Sequence, residues 1–188
     1  MARWIRNKTE TFIEFYRFLK TEVFGMLKTI NYVEINDYLP ITLDWIYKGD
    51  SQTLNNLKLN IKNIVDVEAP ITLNTLKARL RDAFNVKKIS QKALDIIFPI
   101  IDDLGLNTTD NLYDIVYWPK TGVFDVKELR INSNRQIYDV PHQEMKLLVK
   151  ELNCSGEELY RKILDYFGYE VLTEKARVYL EYIEKITK

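Results

Sequence analysis

The chain has 188 residues, 27 basic and 27 acidic side chains and zero net charge, and its 46% apolar content suits a folded, soluble protein rather than a disordered one. Its single cysteine, Cys154, excludes an internal disulfide and points to a reducing compartment. No uncharged apolar run could span a bilayer, and the basic start MARWIRNKTE lacks the apolar core of a secretory signal, so the expected location is the cytoplasm with no membrane partner.

Residues 9–30 read as one long helix, with Phe12, Phe15, Leu19, Val23, Leu27 and Ile30 at helical spacing. Glu10, Glu14 and Glu22 argue against an anionic membrane, which leaves core packing or a partner helix for that stripe. Residues 31–48 are aromatic and irregular, and Pro40 separates two short elements. There Tyr32, Tyr38, Trp45 and Tyr47 either stack on bases or cover the core. Gly49-Asp50 reads as a turn, and Ser51 is expected to cap a helix whose apolar face is Leu54, Leu57, Ile61, Ile64 and Val65. Residues 69–71 should be extended, because the position before Pro70 is pushed out of the helical region. Thr72 then caps a helix with Leu73, Leu76, Leu80, Ala83 and Phe84 on one face, and Asn85 suits its end. Ser90 caps a second helix, apolar over most of its circumference, which Pro99 is expected to kink or break.

Residues 112–118 have strand composition, Pro119-Lys120-Thr121-Gly122 is a turn of hairpin type, and residues 123–131 supply a second strand. Helices, a short first strand and a terminal hairpin give the order of a winged helix, a variant of the helix-turn-helix. Residues 131–139 are polar and read as a linker. Pro141 opens a helix carrying Met145, Leu148, Val149 and Leu152, and Ser155 with Glu158 has the capping-box pattern. A second helix pair runs to the terminus. Shifted by 83 residues, Leu76, Leu80, Asp82, Phe84, Asn85, Ser90 and Ala93 fall on Leu159, Ile163, Asp165, Phe167, Gly168, Thr173 and Ala176, which suggests a partial repeat. The expected fold is mainly α with a small β-hairpin (α+β). It divides into an N-terminal helical and aromatic extension (1–50), a winged-helix unit (51–135) and a C-terminal helical repeat unit (136–188).

Charge is uneven: residues 77–92 hold Lys77, Arg79, Arg81, Lys87, Lys88 and Lys92 against Asp82 alone. Such a cluster is either a solvated face or a surface for phosphate. The nucleic-acid candidates are therefore Lys87, Lys88, Gln91 and Lys92 on the turn, with Lys120, Lys127 and Arg130 on the hairpin. The second helix of that pair exposes Lys92, Asp95, Pro99, Asp102 and Asp103, an acidic stripe that argues against major-groove reading. A protein-docking role is the alternative, through the aromatic N-terminal region or Tyr117 and Trp118. For an enzyme the sequence offers little. His142 is the only histidine, Asp102, Asp103, Asp110 and Asp114 are the only acidic cluster, and no GxxxxGK[ST] phosphate loop is present. No cofactor or metal is expected.

The run Ile64-Val-Asp-Val-Glu-Ala-Pro-Ile71, the helix Leu76…Arg79…Ala83-Phe84 and the turn Lys87-Lys88-Ile89-Ser90 carry a resemblance, together with Asp139-Val-Pro and Phe167-Gly168. They resemble an uncharacterised domain toward the C-terminal end of large bacterial superfamily I helicase-like proteins, many of which also carry a restriction-endonuclease-like domain. The similarity covers roughly residues 57–188. Thr72-Leu73 and Asn85-Val-Lys-Lys stand where that family often has a histidine and a Gly-Ile-x-Arg turn. The resemblance implies a non-catalytic accessory module of a DNA-processing protein, with DNA, or a helicase or nuclease protein, as its partner.

Overall fold

The computed structural model describes residues 27–121 and 124–188. The expected N-terminal helix lies mostly outside the described residues, and its last part is not helical: Thr29–Asn31 forms strand β1. Among the described residues no helix is long and apolar enough to cross a membrane.

The fold is mainly helical with two small sheets. A short helix, α1 (Leu43–Tyr47), precedes α2 (Ser51–Glu68). The cap of α2 is Asp50 rather than Ser51: its carboxylate accepts from the Thr53 amide at 2.8 Å and the Thr53 hydroxyl at 2.6 Å. A carboxylate at this position also suits the positive helix N-terminus. Strand β2 (Ile71–Thr72) leads into α3 (Leu73–Phe84), capped by Thr72 and closed by Asn85 in the left-handed region. Ser90 caps α4 (Gln91–Asp103). Pro99 lies inside α4 and does not break it. Both Pro99 and Asp95, whose carbonyl the proline leaves without a donor, sit on the exposed face, where water can take the missing bond.

The hairpin differs from expectation. Strand β4 (Ile115–Trp118) pairs antiparallel with β3 (Asn107–Asp110), not with the chain that follows it, and β2 flanks β4 on the other edge. The sequence NTTD hides this strand because β3 is a half-exposed edge with no apolar face, held by backbone pairing and by Trp118 Nε1 donating to Thr109 Oγ1. Strand β5 (Leu129–Ile131), taken from the sequence as a hairpin arm, pairs parallel with β1 instead.

A 3₁₀ turn (Ile137–Asp139) precedes α5 (His142–Leu152), α6 (Gly156–Phe167) and α7 (Glu174–Thr187). The expected capping box at Ser155 does not form: the Ser155 side chain caps nothing, and Glu158 pairs with Lys162. The Gly156 amide instead donates to the Glu184 carboxylate of α7, which also accepts from the Tyr160 hydroxyl at 3.0 Å. Helices α3 and α6 start and end 83 residues apart, both close on a left-handed residue, and Ser90 and Thr173 cap the helices that follow.

Two apolar clusters form the interior. One gathers Leu57, Ile61, Ile64, Leu76, Leu80 and Ile97 around α2, α3 and α4. The other gathers Leu129, Met145, Leu148, Leu159, Ile163, Tyr179 and Ile183 around α5, α6 and α7. The segment read as a linker is pinned between them: Arg135 is 5% exposed and Ile137 is buried.

Candidate nucleic-acid interface

The apolar face of α3 turns inward, so helical spacing places Asn74, Lys77, Ala78, Arg81 and Asp82 on its outer stripe. That stripe forms one wall of a cleft of about 640 Å³. The opposite wall is Asn134, Gln136, Tyr138 and Asp139 with Lys175 from the start of α7, and Lys88 and Ile89 close one end. Six basic side chains line it (Lys77, Arg79, Arg81, Lys88, Arg135, Lys175) against three acidic ones (Glu34, Asp82, Asp139). Lys175 is steered into place by two rings, 3.7 Å from the centroid of Tyr138 and 5.1 Å from that of Tyr113.

The cleft floor belongs to a buried charge network. Glu68, at zero exposure, accepts from Arg79 Nε at 2.8 and 2.9 Å, from the Tyr32 hydroxyl at 2.6 Å and from the Ile35 amide at 2.9 Å. Glu144, equally buried, pairs with Arg135 at 2.9 Å and with Arg130. Arg130 also donates to the carbonyls of Glu68, Ala69 and Pro70, which ties the second core to the end of α2. The ring of Tyr32 sits among three guanidiniums, with Arg135 4.2 Å, Arg130 5.0 Å and Arg79 6.0 Å from its centroid.

Burial alone would push the Glu144 carboxyl up, but Arg135 and Arg130 hold it below the ordinary carboxylate value. Burial likewise opposes the charge of Arg79, and the hydrogen bonds and charge of Glu68 outweigh it, so Arg79 stays charged. Tyr32 is raised by burial and by Glu68, which keeps it a donor. Asp139, on the cleft wall, is raised by burial against the pull of its bond from Asn74.

The structure separates the residues that the sequence grouped. Lys87, Lys88, Gln91 and Lys92 are exposed together on the turn and first turn of α4, and Lys88 reaches the cleft. Lys92 lies 4.4 Å from the ring centroid of Tyr47, whose hydroxyl is 2.9 Å from Ser90 Oγ. Lys120 is exposed beside Gly105, past the far end of α4, roughly 20 Å from that turn by helix rise. Lys127 lines a different depression with Asp66, Asp125 and Glu128. Arg130 is not a surface residue: it is 8% exposed, and its guanidinium is committed to Glu144 and three backbone carbonyls. The hairpin basic set is therefore not one surface, because β5 leaves β4 and enters the second core.

Among the described residues no group of three His, Cys, Asp or Glu side chains could share a metal ion. Asp103 pairs with Lys58, while Asp114 accepts from the Asn74 amide. His142 is half-buried, and burial followed by Lys146 lowers its pKa.

Sequence reasoning missed Arg135, Glu144 and Lys175 as partners in this region. The signal was present in two helices. Glu68 continues the face of Ile61, Ile64 and Val65, and Glu144 shares the face of Met145, Leu148 and Leu152. A carboxylate on an apolar stripe needs a buried cation. Comparison with protein-family models, curated proteins and solved structures found no match for this chain.

Proposed function

We propose that the chain is a non-catalytic accessory module that binds nucleic acid through phosphate contacts, in a helicase- or nuclease-type DNA-processing assembly. The carrying observation is the cleft with six basic residues against three acidic, continuous through Lys88 with the exposed turn of Lys87, Gln91 and Lys92. Lysines on such a surface give affinity without reading sequence. The element order α2, β2, α3, α4, β3, β4 and the sheet order β2-β4-β3 support a winged-helix reading, with the tip of the wing at residues 111–114. The shared offset of the two helix pairs supports a partial repeat. The helicase-associated part of the proposal rests on the resemblance of the Glu-Ala-Pro-Ile run and its neighbouring helices.

The exposed stripe of α4 favours a second reading in part. Asp95, Asp102 and Asp103 are all exposed and would repel a DNA major groove, so this face suits a basic protein surface. It also confines nucleic-acid contact to the turn and the cleft.

The test is fluorescence anisotropy with labelled single- and double-stranded DNA over a salt series. Four to six phosphate contacts by Lys77, Arg81, Lys87, Lys88, Lys92 and Lys175 give an expected slope of log affinity against log salt of about −3 to −4 on a single strand. No binding at low salt refutes the nucleic-acid reading and leaves docking.

A further inference from the structure

The network under the cleft does not balance by itself. Three guanidiniums, Arg79, Arg130 and Arg135, face two fully buried carboxylates, Glu68 and Glu144. The surplus positive charge is met by Glu34, whose Oε1 lies 3.0 Å from Arg79 Nη2. Glu34 differs from the other two acids. Its side chain is 38% exposed and it stands on the cleft lining rather than beneath it.

The chain that follows Glu34 is anchored, while its own side chain is partly in solvent. The Ile35 amide donates to Glu68, the Tyr38 hydroxyl donates to the Ile35 carbonyl at 2.8 Å, and the Asn60 side chain brackets the backbone of Leu39. Glu34 therefore offers its carboxylate to Arg79 beside an anchored segment, and can rotate it into solvent without moving that segment. Arg135, the other guanidinium on the cleft floor, has every nitrogen bonded within the fold, to Glu144, Ser133 or the Arg130 carbonyl, so it lends chiefly field.

We propose that the cleft seats the phosphodiester of a single strand on Arg79, and that Glu34 occupies that seat in the free protein and is displaced on binding. This rests on the nucleic-acid reading above and names its ligand and its competitor. A phosphodiester carries the same single negative charge as the carboxylate and matches the guanidinium fork equally well. Unlike Glu34, a strand also brings neighbouring phosphates to Lys77 and Arg81 on the α3 wall and to Lys88 at the end of the cleft. The cleft is a concavity of about 640 Å³, small-ligand size, which admits one backbone rather than the convex surface of a duplex. The acidic exposed stripe of α4 removes the usual duplex alternative.

The test compares wild type, Glu34→Gln and Asp82→Asn for binding of a fluorescent oligo-dT, a duplex of equal length and inorganic phosphate, at low salt and at about 0.3 M salt. Asp82 lines the same cleft and is exposed, so Asp82→Asn measures the effect of removing a nearby negative charge alone. That effect fades with screening. Glu34→Gln is expected to tighten oligo-dT binding about two- to fivefold, the worth of a half-exposed ion pair, and to keep that gain at the higher salt. Duplex is expected to bind more weakly than the single strand and to gain less, and free phosphate to bind weakly to all three proteins. Equal effects of the two substitutions at the higher salt, or a duplex preference, overturn the proposal while leaving nucleic-acid binding intact. Absence of oligo-dT binding by every protein overturns both.

Discussion

Glu144 is the residue on which the two halves of the molecule depend most directly. It is fully buried and meets Arg130 and Arg135, two guanidiniums that are themselves almost without solvent. Glu144→Gln leaves both charges buried without a counter-charge, so urea unfolding at neutral pH is expected to show a loss of about 3–5 kcal/mol. The sign of the pH dependence follows from the lowered folded-state pKa of Glu144. Its contribution is present above the ordinary value of 4.5 and is lost as pH falls through the folded-state value. The gap between wild type and Glu144→Gln should therefore be constant from neutral pH to about 5 and narrow below 4.5. A gap that does not change with pH would show that Glu144 keeps its ordinary pKa in the fold, and one that changes above pH 4.5 instead would show that it is held neutral there. The same network explains why Arg130 was misplaced by sequence. A basic residue in a polar stretch reads as surface, and nothing local to Arg130 announces a backbone carbonyl 62 residues away and a carboxylate 14 residues away.

Elements were more legible than their partners. The α3 and α4 boundaries were readable because each carries its own signals: a hydroxyl cap at Thr72 and Ser90, and an Asn at the close of α3. Asn85 has φ of 53°, where a β-branched side chain clashes with its own backbone. Asn85→Val is expected to lower stability by about 1–2 kcal/mol, while Asn85→Gly holds or raises it, as thermal melts would show. Equal melts for all three would contradict the left-handed closure. By contrast, the capping box at Ser155 was a false signal: the Ser155 side chain caps nothing, Glu158 pairs with Lys162, and the neighbouring Gly156 amide donates to Glu184 of α7. Strand β3 carried no signal at all. A polar edge strand of four residues is recognisable only through its pairing with β4, and pairing is not a property of the segment.

At the scale of the molecule, the chain builds two apolar clusters and joins them through charge and hydrogen bonds, with Leu112 and Tyr113 from the turn between β3 and β4 packing on the second cluster. Arg130 reaches from β5 to the end of α2, Thr72 Oγ1 donates to the Asp139 carbonyl at 3.4 Å, and the Gln143 amide donates to Thr109 at 2.9 Å. The cleft is a product of that junction, with α3 on one side and residues 134–139 and Lys175 on the other. A basic cluster at residues 77–92 was visible in the sequence. The far wall was not, because it comes from chain that begins only at Asn134, well beyond that cluster. The contact surface can be located by charge reversal. Two charge-reversed proteins separate the possibilities: Arg81→Glu/Lys88→Glu changes the cleft, and Lys120→Glu/Lys127→Glu changes the same formal charge on exposed sites outside it. Anisotropy with labelled oligo-dT at fixed moderate salt compares them directly. The expected result is a loss of tenfold or more for the first, on the order of two lost phosphate contacts, and less than about twofold for the second. Equal losses in both, or a loss confined to the second, would contradict binding in the cleft.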